Sequence, residues 1–124
     1  MATIDITADT FEETIEKNDI VIVDFWAEWC GPCKSFAPVY EEVSNEYDDV
    51  VFGKIDTEAQ QELAAHFQIR SIPTLMIFRE QVVLYSQPGM LSAPQLKEVI
   101  GKVQELDMAE VHAEIAKQAA AEAK

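Results

Sequence analysis

The sequence predicts an α/β fold in which a central mixed β-sheet is flanked by α-helices, with a helical extension at the C-terminus. Three observations carry that prediction. Ile20 to Trp26 is an almost unbroken apolar and β-branched run, which suits a central strand covered on both faces. Strand and helix patterns alternate as far as Phe67, implying right-handed parallel crossovers. Beyond Pro73, two short strand patterns are separated by only about three residues, a hairpin spacing that makes the second half antiparallel.

The elements follow in order. Thr3 to Ile6 reads as a short strand, and Asp9 with Glu12 has the spacing of a capping box opening a helix through Lys17, with Phe11 and Ile15 facing the core. After the Ile20 to Trp26 strand, Phe36, Val39, Tyr40, Val43 and Tyr47 recur at helical spacing. Pro38 among them removes one backbone donor, so this helix is expected to be long and bent. Val50 to Ile55 is the next strand, and Ala59, Leu63, Ala64 and Phe67 give one apolar face of the helix after it. Thr74 to Phe78 and Val82 to Tyr85 form the hairpin. Ser92-Ala93-Pro94-Gln95 supplies an N-cap, an early proline and a residue-three glutamine, and Leu96, Val99, Ile100 and Val103 then mark a helix that packs on the sheet. We read residues 1–106 as one domain and residues 107–124 as an acidic, Ala-rich helical extension. The extension opens on a candidate capping box, Asp107-Met108-Ala109-Glu110, and carries its own stripe of Met108, Val111 and Ile115. That stripe could pack back, dimerise or bind a partner, or the segment could be a solvated helix end.

At 124 residues and 48% apolar composition, the chain can bury one substantial core but is too short for two independent domains. A formal net charge of −14, from 9 basic and 23 acidic residues, would repel phosphate backbones and anionic lipid. We therefore expect no nucleic acid and no membrane among its partners, and the acidity serves solubility. No stretch approaches the roughly 18 apolar residues of a membrane span, and Met1 to Asp5 lacks a basic segment followed by an apolar one. A cytoplasmic location is the expectation, and in a reducing compartment two cysteines are more often catalytic or metal-binding than structural.

Those two cysteines, Cys30 and Cys33, stand in Trp29-Cys30-Gly31-Pro32-Cys33, between the central strand and a helix. A strand feeding a helix puts the first sulfur at the helix N-terminus, where unpaired N–H groups and the positive dipole end favour a thiolate. Cys30 is the expected nucleophile. Cys33, three residues on and on the same face, is placed to attack a mixed disulfide formed by Cys30 and is the expected resolving thiol. Zinc is the competing reading, but it needs two further ligands, and only His66 and His112 are on offer, mid-helix and in the tail. Lys34 stands where a haem-attachment motif needs His, and an iron–sulfur cluster needs about four cysteines.

Val23-Asp24-Phe25-Trp26-Ala27-Glu28-Trp29-Cys30-Gly31-Pro32-Cys33-Lys34, together with Ser71-Ile72-Pro73-Thr74, resembles the thioredoxin family over residues 1–106. The resemblance implies the thioredoxin fold. A carboxyl in a buried strand cannot stay ionised cheaply, so desolvation should raise the pKa of Asp24. By position alone, Asp24 would more readily be a strand residue reaching solvent or a backbone donor. The family match instead gives it general acid/base duty, taking the proton of the resolving cysteine. Lys54 matches the lysine near that carboxylate and would modulate it, the alternative being an exposed lysine at a strand end. Trp29, Gly31 and Pro32 match the active-site loop, and Trp26 its structural support. Pro73 matches a cis proline facing the dithiol, and the backbone of Ile72 would pair with an extended substrate strand. Trp29, Pro32, Ile72, Pro73, Gly89 and Met90 would line a shallow apolar groove, although loop packing accounts for Met90 equally well.

The activity so implied is reduction of disulfides in client proteins by dithiol–disulfide exchange. A thioredoxin reductase, which alone uses NADPH and FAD, would restore the dithiol. The chain itself would bind no cofactor and no metal, and would act as a monomer. Two departures from the family pattern stand out: Arg79-Glu80-Gln81-Val82 lacks the glycine that usually turns this hairpin, and the tail runs past the usual end. A disulfide oxidase or isomerase would use the same fold with a more acidic Cys30, and a redox-independent binding module would survive replacement of both cysteines.

Overall fold

The computed structural model describes residues 3–122. Its elements are β1 (Thr3–Asp5), α1 (Ala8–Lys17), β2 (Ile20–Trp26), α2 (Gly31–Ser44), β3 (Val50–Asp56), α3 (Gln61–His66), β4 (Thr74–Arg79), β5 (Val82–Pro88), α4 (Ala93–Glu105) and α5 (Met108–Glu122). The strands form one sheet in the order β1-β3-β2-β4-β5. β3 runs parallel to both β1 and β2, whereas β4 is antiparallel to β2 and to β5. The sheet is mixed, as the sequence predicts, and the apolar run Ile20–Trp26 is its middle strand. Strand alternation divides the core into two layers. Ile20 and Ile22 pack with Phe36, Tyr40 and Val43 of α2 and Leu96 and Ile100 of α4. On the other face Val21, Val23 and Phe25 pack with Ile6, Ile15, Met76 and Phe78, joined by the partly buried Phe11 and Phe67. Tyr40 pins α2 to the sheet, its hydroxyl lying 2.8 Å from the Gly53 carbonyl of β3 and 3.1 Å from the Ile22 carbonyl of β2.

Local structure departs from the sequence pattern at four places. α1 is capped at Thr7, whose N–H donates to Thr10 Oγ1 at 3.0 Å, and not at Asp9. The Ile6 N–H bonds the Lys54 carbonyl at 2.8 Å, so the chain is held in the sheet up to residue 6 and turns directly afterwards. α2 ends at Ser44, leaving Tyr47 to pack from the following loop. α3 is shorter than its apolar spacing suggests, because Asp56 Oδ1 accepts the N–H groups of Glu58 and Ala59 and folds that segment into a turn. The β4–β5 hairpin turns on Glu80 and Gln81, at φ 50° and 69°. Both occupy the left-handed region that a two-residue hairpin of the right twist requires, without the customary glycine.

β5 continues to Pro88, which an edge strand tolerates. The box at the start of α4 forms as predicted: Ser92 Oγ accepts from Gln95 N–H at 3.3 Å, and Gln95 Oε1 accepts from Ser92 N–H at 2.9 Å. At α5, Asp107 Oδ1 accepts from Glu110 N–H at 3.3 Å. Met108 is buried and Ile115 exposed, so the extension packs back through its N-terminal end. Arg79 Nη1 donates to the carbonyls of Val103 and Leu106, and His112 Nε2 lies 2.9 Å from Glu80 Oε1, which ties the start of α5 to the hairpin. Among the described residues no helix is long and apolar enough to cross a membrane.

Candidate active site

The site is built where β2 ends and α2 begins. Cys30 N–H bonds back to the Ala27 carbonyl at 3.1 Å, closing a turn that sets Cys30 as the N-cap of α2 in extended geometry. Its sulfur accepts the Cys33 N–H at 3.2 Å, so a thiolate there would meet a donor that the helix leaves unpaired. Pro32 occupies the first turn, where a missing N–H costs nothing. Cys30 and Cys33 are joined as a disulfide, with Cα atoms 5.2 Å apart. Both are buried against Ala27, with Trp26 and Ile72 packed alongside.

Ile72 brings the second wall. Its carbonyl oxygen lies 3.7 Å from Cys30 Sγ, and the Ile72–Pro73 peptide bond is cis. Beside Cys30 opens a groove of about 440 Å³, lined among others by Trp29, Pro32, Thr57, Ile69, Arg70 and Ile72. Trp29 is 69% exposed, and its ring is held at the rim by Nε1–H donating to Glu58 Oε1 at 2.7 Å. Pro73, Gly89 and Met90 do not line this groove. Gly89 N–H bonds the Pro73 carbonyl at 2.8 Å, and its φ of 102° is one that side chains rarely adopt; Met90 is 45% exposed. Thr57, Ile69 and Arg70 in the groove, and Glu58 on the Trp29 indole, escape a sequence reading, because they arrive there only through the packing of the β3–α3 and α3–β4 loops.

Asp24 stands on β2 two residues beyond Ile22 and on the same face, the one covered by α2. It is 1% exposed, and neither carboxylate oxygen meets a hydrogen-bond donor among the described residues. Burial pushes its pKa up to about 7, with the Lys54 ammonium pulling the other way. Lys54 is its register partner on β3 and sends its Nζ over the Trp26 ring, 4.8 Å from the centroid. Trp26 itself is partly buried, its indole N–H meeting no acceptor among the described residues. Burial also pushes the Tyr40 phenol well above its ordinary range, the Asp24 charge adding to the effect. The structure thus gathers Asp24, Trp26, Trp29, Cys30, Gly31, Pro32, Cys33, Lys54, Ile72 and Pro73 at one end of the sheet. His66 lies on α3 and His112 on α5, and among the described residues no cluster of three or more His, Cys, Asp or Glu could hold a metal ion.

The thioredoxin family profile matches residues 2–102. A putative thioredoxin 2 from Streptomyces coelicolor is 54% identical over 119 residues, covering 96% of this chain and 89% of that protein. A thioredoxin from Buchnera aphidicola is 42% identical over 99 residues, covering 78% of this chain and 92% of the relative. Among solved structures, a mutant thioredoxin from Halobacterium salinarum superposes with a TM-score of 0.78 at 31% identity, over 84% of this chain and 92% of that one. A disulfide-capable cysteine pair at a helix N-cap, on this fold and with these relatives, performs thiol–disulfide exchange and reduces protein disulfides. The chain belongs to the thioredoxin family.

Proposed function

We propose that Cys30 is the attacking thiolate, Cys33 the resolving thiol and Asp24 the proton acceptor, and that the groove beside Cys30 seats an extended client segment. The observation that carries this reading is the Cys33 N–H on the Cys30 sulfur, at a helix N-terminus facing the groove. In the reduced protein the Cys30 thiolate attacks one sulfur of a client disulfide. A bond forms between Cys30 and that sulfur, the client S–S bond breaks, and the other client sulfur departs as a thiolate. Cys33 then gives its proton to the Asp24 carboxylate and attacks Cys30 Sγ. The mixed disulfide breaks, the second client sulfur leaves as a thiolate, and Cys30–Cys33 closes. Two electrons have passed to the client, and the proton on Asp24 returns to solvent or to a departing sulfur. With a pKa of about 7, Asp24 is present in both protonation states near neutral pH, as a group that takes and returns a proton must be.

Trp29, Pro32 and Ile72 supply apolar wall to that groove, while Pro73, whose carbonyl accepts the Gly89 N–H, and the exposed Met90 lie outside its lining. Lys54 modulates Asp24, Trp26 supports the loop, and Gly31 is part of that loop with Trp29 and Pro32. Residues 1–106 form the catalytic unit, with residues 107–124 an extension of it. An outside donor must reopen the disulfide, and a thioredoxin reductase carrying FAD and NADPH is the donor we assign. The protein acts as a monomer in the cytoplasm.

Trapping tests the assignment. Cys33→Ser should accumulate a mixed disulfide with a disulfide-bonded client such as insulin, visible by mass spectrometry and released by dithiothreitol. Cys30→Ser should accumulate none. Equal trapping by both variants would reverse or dissolve the two roles.

A further inference from the structure

Asp5 lies outside everything the mechanism uses, yet the sheet sets it in line with the site. In the parallel pairing of β1 with β3, Asp5 is the register partner of Lys54; in the parallel pairing of β2 with β3, Asp24 is the partner of the same lysine. Register partners in a parallel sheet project on one face, with strands about 4.8 Å apart. Asp5, Lys54 and Asp24 therefore form a row of carboxylate, ammonium and carboxylate, the first exposed, the second half-buried, the third buried. Asp5 and Lys54 also share the wall of a cavity of about 230 Å³ with Trp26 and Asp56. Lys54 makes no close ion pair among the described residues and rests on the Trp26 ring, so its flexible stem can lean either way.

We propose that Asp5 is a positioning residue for the proton-transfer step: it draws the Lys54 ammonium outward, away from the buried Asp24 carboxyl. This deepens the reading in which Asp24 is the proton acceptor and rests on it. The remaining groups facing Asp24 and Lys54 do not substitute for Asp5. From α2 come Cys33, bridged to Cys30, and Tyr40, whose hydroxyl bonds carbonyls of β2 and β3. β4 sets the uncharged Leu75 beside Asp24. α4 reaches this layer with Leu96 and Ile100. Asp56, two residues beyond Lys54, has one oxygen engaged by the N–H groups of Glu58 and Ala59. Asp5 is the carboxylate next to the lysine whose side chain makes no hydrogen bond or ion pair among the described residues.

The test is the pH dependence of unfolding free energy of the full oxidised chain in urea, whose upper midpoint, the pH at which the slope has dropped to half, reports Asp24 in the folded state and is assigned to it by its disappearance in Asp24→Asn. Asp5→Asn should lower that midpoint by a few tenths of a pH unit, a size set by screening of an exposed charge. Asp5→Glu should keep it, and Lys54→Met should raise it. In the Lys54→Met background, Asp5→Asn should move the midpoint by less than half as much. A merely structural role would change stability at every pH and leave the midpoint alone. An unmoved or raised midpoint, or a shift of equal size with and without the Lys54 amine, overturns the proposal. The assay does not use turnover, so a midpoint that responds while Asp24→Asn retains full activity would refute the catalytic role of Asp24 and leave the Asp5 coupling standing.

Discussion

Burying Asp24 without a donor is a large local cost, and its sign fixes how the protein responds to pH. The folded-state pKa of about 7 lies above the ordinary 3.8 of an unfolded chain. The unfolded protein therefore gives up this proton first as pH rises. The stability associated with the protonated carboxyl is fully present below about pH 4 and is lost as pH climbs through about 7, a change on the order of 4 kcal/mol. Asp24→Asn should abolish that fall, making the variant more stable than the parent at pH 8 by a few kcal/mol and giving little gain at pH 4, as read from urea unfolding at both values. The same variant should reduce client disulfides more slowly. A free thiol of pKa about 8.5 is only a few per cent ionised at pH 7, so the loss is bounded at roughly 30-fold there and should vanish toward pH 9. A loss independent of pH would point away from proton transfer from Cys33.

Among the elements, the tight turn between β4 and β5 is where the chain is least suited to its own backbone. Glu80 and Gln81 both sit in the left-handed region, which costs a residue with a side chain roughly 1 kcal/mol. Gln81→Gly should stabilise the protein by about that much, raising the melting temperature by roughly 3–6 °C in calorimetry. Glu80 is the poorer choice, because its side chain meets His112. This turn also marks the boundary of what the sequence discloses. β2 is legible to the residue, since a strand covered on both faces must be apolar throughout, and Ser92-x-x-Gln95 announces its helix because a cap is a local arrangement. The start of α1 is not legible, because Thr7-x-x-Thr10 and Asp9-x-x-Glu12 overlap and the choice is made by the anchoring of Ile6 to β3. Likewise Cys30, Cys33 and Asp24 can be found from spacing and family pattern, whereas Glu58 on Trp29 and Asp5 beside Lys54 depend on contacts between segments far apart in the chain.

Across the whole molecule, the two ends of the sheet have different work. The redox pair, Asp24 and Ile72 gather where β2 ends and β4 begins, while Arg79, Glu80, the end of α4 and His112 of α5 meet at the opposite end. Ending the chain at Leu106 removes Met108, whose burial contributes about 1–3 kcal/mol, and leaves the site untouched. The truncated protein should melt several degrees lower yet reduce insulin at an unchanged rate below its transition; a slower rate would mean that α5 reaches the client or the site. The position of β2 has one more consequence. Fraying of β1 or β5 at the margins leaves both ladders of the middle strand intact, so the segment that carries the redox loop is among the last to come apart. Heat or denaturant should not yield a folded but inactive protein: inactivation and global melting are one event.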